Sequence, residues 1–269
     1  MNYLRILFFG DVVGAIGRQA LVKDLPVLNK KFNPDLTITN AENLAHGSGV
    51  TEQTLNELSR AGVDVFTGGN HSWSNPLGVP IYTNPSWTDR IIVPTNFGGA
   101  QGGNNWIVRN VNGTNVLITN LMGQLFSHSE TRSPFTELDL ILNNERVRDT
   151  RVRIIDLHAE ATAEKEAFGH YADGRVSAVF GTHTHVATAD AKILAQGTAY
   201  VTDIGRCGSY DSVVGFEKKA AIKRFLSGIN GGYELEKTGT AEINGVCLTV
   251  DSATGKAVSL DQIREIVAI

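Results

Sequence analysis

Short runs of apolar residues, each closed by a polar and often glycine-rich loop, recur along the chain. Leu4–Phe9 runs into Gly10-Asp11, Leu36–Thr39 into Asn40-Ala41-Glu42-Asn43, and Val63–Thr67 into Gly68-Gly69-Asn70-His71. Further on, Val116–Thr119 ends at Asn120, Val152–Leu157 at His158, and Val176–Phe180 at Gly181-Thr182-His183. Runs of this length, rich in Val, Ile, Leu and Phe, predict buried strands. Between several of them the apolar period becomes helical. Gly17–Lys31 carries Leu21, Val22, Leu25 and Leu28, and Thr51 is an N-cap for a helix through Arg60 with Leu55 and Leu58 inward. Phe135–Arg148, Glu160–Phe168 and Phe216–Leu226 read similarly. This alternation predicts a layered α/β fold. From about Asn75 to Gly103, Pro, Gly and Asn accumulate and predict loops over the site. Gly245–Val250 and Lys256–Leu260 predict a β-hairpin turning at Ser252–Gly255. No internal repeat or linker is visible, so residues 1–269 read as a single domain.

Position then points to chemistry. In α/β sheets, ligands bind beyond the carboxyl ends of the strands. Asp11, Glu42, Asn43, Asn70, His158, His183 and His185 each follow a predicted strand. Five strand ends thus deliver metal-capable side chains to one edge of the sheet. Singly, several have ordinary readings. Asp11 serves equally as a turn residue or helix cap, Glu42-Asn43 as loop polar residues, and His158 as a satisfied core histidine. Asn70-His71 behind two glycines suggests a crowded site. His183-Thr184-His185 is the strongest local signal, because residues i and i+2 of an extended segment share one side and can face one ion or two adjacent ions.

His46, His128 and His170 lack such company and read as surface or loop histidines, with His128 able to approach the site from the loop that follows Asn120. Trp73, Trp87 and Trp106 read as core or rim residues, Trp73 also as a candidate wall of a base-binding pocket. Gly14 and Gly17 hint at a phosphate loop, but the dinucleotide and P-loop spacings are absent.

Composition narrows the field. A chain of 269 residues, 42% hydrophobic, can bury a sizeable core. Its net charge of −4 argues against broad binding to a nucleic-acid backbone, yet leaves room for a small phosphate ligand at a metal, whose charge dominates its own surroundings. Cys207 and Cys247 have no metal-ligand spacing and read as small buried thiols, kept reduced. The apolar start, Leu4 to Phe9, flows straight into Gly10-Asp11 and reads as a first strand, not a signal peptide. No stretch approaches the roughly 18 apolar residues of a membrane span. The expected location is cytoplasmic.

The ordered blocks Gly10-Asp11, Glu42-Asn43, Gly69-Asn70-His71, His158 and Gly181-Thr182-His183-Thr184-His185 resemble those of the calcineurin-like metallophosphoesterases. More narrowly, Asn40-Ala41-Glu42-Asn43, Asp156-Leu157-His158-Ala159-Glu160-Ala161-Thr162, Gly181–Asp190 and Thr202-Asp203-Ile204-Gly205 resemble the bacterial YmdB-like subfamily. The resemblance runs from Leu4 to about Val250. It implies a four-layer α-β-β-α sandwich, a dinuclear metal site, and phosphodiesterase activity on cyclic nucleotides, 2′,3′-cyclic forms included and 3′,5′-cyclic forms as a further class. It also implies a ligand set, with Asp11, Asn43 and His185 on one ion, Asn70, His158 and His183 on the other, and Glu42 between them. A homo-oligomer is implied in the same way. Three departures stand out. Val13 occupies the His position of the superfamily's Asp-x-His, Ser74 stands where Asp is expected, and Arg206-Cys207-Gly208-Ser209 replaces an expected Met-Thr-Gly-Pro run.

With that ligand set, two divalent ions bring four positive charges while Asp11 and Glu42 return only two negatives. A bridging hydroxide then leaves about one positive charge, suited to a phosphodiester. Mixed N/O donors favour Fe or Mn, with Zn as a further choice, over Ca or Mg. His71, beside a ligand but not needed as one, is the expected general acid for the departing ribose oxygen. Two rival readings are hydrolysis of phosphomonoesters, including protein dephosphorylation, and a low-activity regulatory protein that binds metal and nucleotide.

Overall fold

The computed structural model describes residues 3–98, 102–127, 130–228 and 234–269. It contains two six-stranded sheets. In the first, β1 (Tyr3–Val12) pairs in parallel with β2 (Leu36–Asn40), and β2 with β3 (Val65–Thr67). In the second, β4 (Trp106–Val111) lies antiparallel to β5 (Thr114–Met122), which runs parallel with β6 (Val152–His158) and β7 (Ala178–Thr182). Beyond β7 come β8 (Lys192–Ile193) and β9 (Ala199–Val201), β9 lying next to β7 with β8 at the edge. The other flank of the first sheet holds β10 (Arg206–Ser209), β11 (Thr240–Asp251) and β12 (Ala257–Ala268).

The apolar runs lack polar alternation because both faces of these strands are covered. Along β1, Leu7 and Phe9 point to one side and Ile6 and Phe8 to the other, as the two-residue period of a strand requires. Leu7 and Phe9 pack with Leu21, Leu25 and Leu28 of α1 (Gly14–Phe32) and Leu55 and Leu58 of α2 (Glu52–Ala61). Ile6 and Phe8 face the second sheet, where the Phe8 and Phe180 rings stack with centroids 5.6 Å apart. Across that sheet, Ile155, Leu157 and Val179 pack with Leu138 and Ile141 of α3 (Pro134–Leu142) and Phe168 and Ala172 of α4 (Thr162–Ala172). The order is helices, sheet, sheet, helices, which is the four-layer sandwich. A fifth helix, α5 (Lys218–Ser227), begins where the Glu217 carboxylate accepts the N–H groups of Lys219 and Ala220.

Thr51 caps α2 through a reciprocal box with Thr54. Two expectations change. α3 stops at Leu142 instead of continuing to Arg148, as Asn143 and Asn144 turn the chain and the Asn144 side chain accepts the Arg146 N–H. The terminal hairpin is far longer than its most apolar stretch, because β12 covers one face only and alternates polar with apolar positions. Gly17 lies under the Cys207 carbonyl, where a Cβ would collide, and so lets α1 approach β10. Cys207 and Cys247 are buried free thiols, and burial pushes Cys207 up to about 12. Among the described residues, no helix is long and apolar enough to cross a membrane.

Candidate metal centre

The expected single edge is the shared end of two sheets. β1, β2 and β3 of one sheet and β6 and β7 of the other bring their carboxyl ends together. Asp11 lies inside β1, and the register of β1 against β2 shifts between Phe9 and Asp11. A bulge of this kind re-aims a side chain. The Asp11 carboxylate is fully buried, and its Oδ2 accepts the His183 N–H at 3.1 Å. Glu42 and Asn43 follow β2 in a turn fixed by Asn40, whose Oδ1 accepts the Glu42 N–H at 3.1 Å. The Asn43 amide nitrogen donates to the Gly47 carbonyl at 2.9 Å, which turns Oδ1 toward His185 Nε2, 3.2 Å away. After β3, Gly69 passes so close to Glu42 Oε2 and His158 Nε2 that a Cβ would overlap both. Only glycine fits there.

Three acceptors converge on one ring nitrogen. His158 Nε2 lies 2.9 Å from Asn70 Oδ1, 3.0 Å from His183 Nδ1 and 3.3 Å from Glu42 Oε2. Glu42, His158 and His183 form a group whose ligand atoms all lie within 4.8 Å of one another. Next to it, Asp11 Oδ1 is buried with no hydrogen-bond partner, 3.8 Å from His158 Nδ1 and 3.9 Å from His185 Nε2. A native interior rarely leaves a buried carboxylate oxygen orphaned. The donor set and the orphan both fit divalent cations, with N and O ligands suited to Mn, Fe or Zn.

The titration of these groups carries the same message. Burial works against a charged His158, yet the charge and hydrogen bond of Glu42, aided by Asp11, raise it to about 9. Burial and the neighbouring His158 lower His183 to about 3. Burial also raises Asp11. Burial pushes Glu42 up, but the charges and hydrogen bonds of His158 and His71 together hold it well below the usual carboxylate range. A pocket that draws a proton onto a buried imidazole is short of positive charge.

His183 and His185 do not lie in an extended segment. β7 ends at Thr182, and both histidines take left-handed backbone, φ 97° and 64°. Non-glycine residues adopt this region at a cost, and such strain collects at functional sites. The rings diverge as a result. His183 faces His158 through Nδ1 and Glu160 through Nε2 at 3.2 Å, while His185 faces Asn43.

The supporting groups were not legible as such in the sequence. The Thr182 hydroxyl donates to Asp156 Oδ1 at 2.6 Å, so His158 Nδ1, 2.9 Å away, must donate to Thr182. That fixes the tautomer and leaves Nε2 toward the cluster. The Val214 carbonyl holds His185 Nδ1 likewise at 2.9 Å. Asp156 also accepts from Asn40 Nδ2 at 2.9 Å and from the Thr67 hydroxyl, joining the two sheets under the centre. Burial pushes Asp156 up to about 6. Replacing Thr182 by Val should weaken divalent-metal affinity by about 10–100-fold, measured by competition with a chelating dye. Unchanged affinity would remove Thr182 from the account.

Lys165 is buried on the core face of α4 and donates to the Thr182 carbonyl and to Asp203 Oδ2, each at 2.8 Å. Asp203 also accepts the Thr184 N–H and hydroxyl and the Gly205 N–H, so the pair holds the 182–185 turn. The sequence signal was a lysine at helical spacing from Ala161, Phe168 and Ala172. Lys165→Met leaves Asp203 buried and unpaired, and should cost roughly 3–5 kcal/mol of stability in urea denaturation.

A family model of YmdB-like proteins matches residues 7–263. The chain belongs to the YmdB-like family. It is 40% identical over 260 residues to the 2′,3′-cyclic-nucleotide 2′-phosphodiesterase of Bacillus subtilis, covering 97% of this chain and 96% of that one. Its structure is similar to the crystal structure of a novel phosphatase from Mycoplasma pneumoniae, with a TM-score of 0.92, 38% identity, and coverage of 99% and 94% of the two chains. It is also similar to Haemophilus influenzae NAD nucleotidase, with a TM-score of 0.55 and 12% identity over 99% of this chain and 50% of that one, a likeness of fold alone.

Two departures from the YmdB-like pattern take physical form here. Ser74, in place of an expected Asp, puts its hydroxyl 3.4 Å from His71 Nδ1, and Ser48 adds a second at 3.3 Å. The His71 N–H donates to Glu42 Oε2 at 3.0 Å, so His71 adjoins the centre without entering the cluster. Arg206 lies buried in β10 and donates to the carbonyls of His185 and Ser209, 2.9 Å each, while pairing with Glu242 at 2.8 Å. It thus props the His185 turn from below.

Of the other sequence candidates, His46 and His170 are exposed. His128 lies outside the described residues. Trp87 is in the core against Phe66, and Trp106 lies under Arg146. Trp73 stacks on Phe97 with centroids 4.6 Å apart and packs against the first core cluster, so it forms no wall of the pocket at the cluster.

Proposed function

We propose that this YmdB-like chain is a two-metal phosphodiesterase of cyclic nucleotides, with 2′,3′-cyclic forms as the principal substrates and 3′,5′-cyclic forms as a further class. The observation that carries the reading is the convergence of three acceptors on His158 Nε2 beside the orphaned Asp11 Oδ1. The 40% identical Bacillus subtilis protein, a 2′,3′-cyclic-nucleotide 2′-phosphodiesterase, supports it.

Asn70, His158 and His183 would hold one ion, Asp11, Asn43 and His185 the other, and Glu42 would lie between them. Fe or Mn best suits these donors. Bound divalent ions would supply Lewis acidity at the phosphoryl group and a nucleophile at neutral pH.

The chain's own residues do the rest. The Thr182 hydroxyl and the Val214 carbonyl hold Nδ1 of His158 and His185, which turns Nε2 of both rings toward the centre. Opening a 2′,3′-cyclic phosphate leaves a ribose oxygen that needs a proton. With Nδ1 of His71 between two serine hydroxyls, its Nε2 is the atom placed to donate that proton. The enzyme acts as one domain, in the cytoplasm, on small phosphodiesters, and self-associates.

The test is a substrate panel at measured metal loading, using 2′,3′-cyclic AMP, 3′,5′-cyclic AMP and a phosphomonoester. The 2′,3′-cyclic diester should show the highest kcat/KM. Preference for the monoester would move the protein to the phosphatases, and no turnover at full loading would leave a binding role.

A further inference from the structure

The pocket that opens onto Asn70, His158 and His183 has a second, chemically different wall. Leu125, Phe126 and Ser127 line it together with Met122 and Gly123. Leu125 is 52% exposed and Phe126 80% exposed. Two adjacent apolar side chains open to water in the wall of a polar pocket form the kind of patch that marks a ligand site.

Phe126 is held where it is. The Glu164 carboxylate of α4, itself buried, accepts the N–H groups of Gln124 and Leu125 at 2.8 and 3.1 Å. The Gln124 side chain donates to the Thr131 carbonyl, and the Thr131 hydroxyl to the Gly123 carbonyl. The root of the loop is thereby fixed. Phe126 then takes a left-handed backbone, φ 62°, a conformation that a bulky residue rarely adopts. The strain presents the ring at the lip instead of folding it into the core, where Phe135 and Phe168 already pack.

We infer that Phe126, seconded by Leu125, is the stacking platform for the substrate's nucleobase. The inference rests on the phosphodiesterase reading above. A nucleotide has the same two-part character as the pocket, with a phosphate for the polar wall and a flat apolar face for the other. Base-on-aromatic stacking needs no hydrogen-bond pattern, so the platform accepts different bases and favours purines by area. Glu160, 3.2 Å from His183 Nε2, sets a negative charge on the rim and disfavours polyanionic ligands. Trp73, the aromatic that the sequence offered for this role, is taken up by Phe97.

The test compares a nucleotide with its base-free counterpart on the metal-loaded protein. Calorimetry gives the affinity for adenosine 3′-monophosphate and for an abasic ribose 3-phosphate with hydrogen in place of the base. The wild type should prefer the nucleotide by about tenfold or more. Phe126→Ala should erase most of that preference, and Phe126→Trp should keep it. The same pattern is expected in KM for 2′,3′-cyclic AMP, with kcat moving far less. A preference that survives in Phe126→Ala, or none in the wild type, overturns the inference. A protein that binds with this Phe126-dependent preference yet hydrolyses no cyclic nucleotide would sink the proposed function and leave the platform standing.

Discussion

Exchanging Glu42 for alanine should empty the centre and lower turnover of 2′,3′-cyclic AMP by about 10³-fold or more, the equivalent of several kcal/mol of transition-state stabilisation. The Glu42 carboxylate touches several parts of the site at once. Its Oε2 accepts the His71 N–H at 3.0 Å and lies 3.3 Å from His158 Nε2, and Gly69 has no side chain that could block it. The other groups at His158 Nε2, Asn70 and His183, are an amide and an imidazole, which cannot balance divalent charge alone. Elemental analysis of the purified variant is the check. An unchanged metal content would overturn the placement of Glu42 between the ions, whatever happened to activity.

Removing His71 should act on a different step. His71→Ala should retain its metal but lose about 10²–10⁴ in kcat on a diester whose leaving group is a ribose alkoxide. On bis(p-nitrophenyl) phosphate, whose leaving group departs without a proton, the loss should be far smaller. The ratio of the two losses is the readout. Equal losses on both substrates would show that His71 orders the site through Glu42 and transfers no proton.

How much of this was written in the sequence depends on period and exposure. The strands buried on both faces, such as β1 and β6, announced themselves as unbroken apolar runs. So did α2, because Thr51 supplies its cap. β4, β8, β9 and β10 did not. They are short or carry polar and charged residues such as Arg109 and Arg206, whose partners lie far away in sequence. The site followed the same rule. Side chains after strong strands were nameable in advance, and the structure brings Asp11, Glu42, Asn43, Asn70, His158, His183 and His185 together.

The geometry behind them was not legible. Spacing suggested that His183 and His185 share a side as in a strand. Their left-handed backbone, locked by Asp203 and Lys165, instead turns the two rings to different partners. Nor could any local pattern show that Thr182 stands between His158 and Asp156, since that relay spans two strands. Phe126 carried no signal, because its meaning lies in an exposure and a φ angle that only the folded loop reveals.

The proposed function requires one YmdB-like chain to hold a pair of ions, in two neighbouring groups of side chains. Metal stoichiometry in the wild type and in His185→Ala tests it most directly, because His185 belongs to one group only, with Asn43 and Asp11. Two ions per folded chain are expected in the wild type and one in the variant. A single ion in both proteins would contradict that requirement.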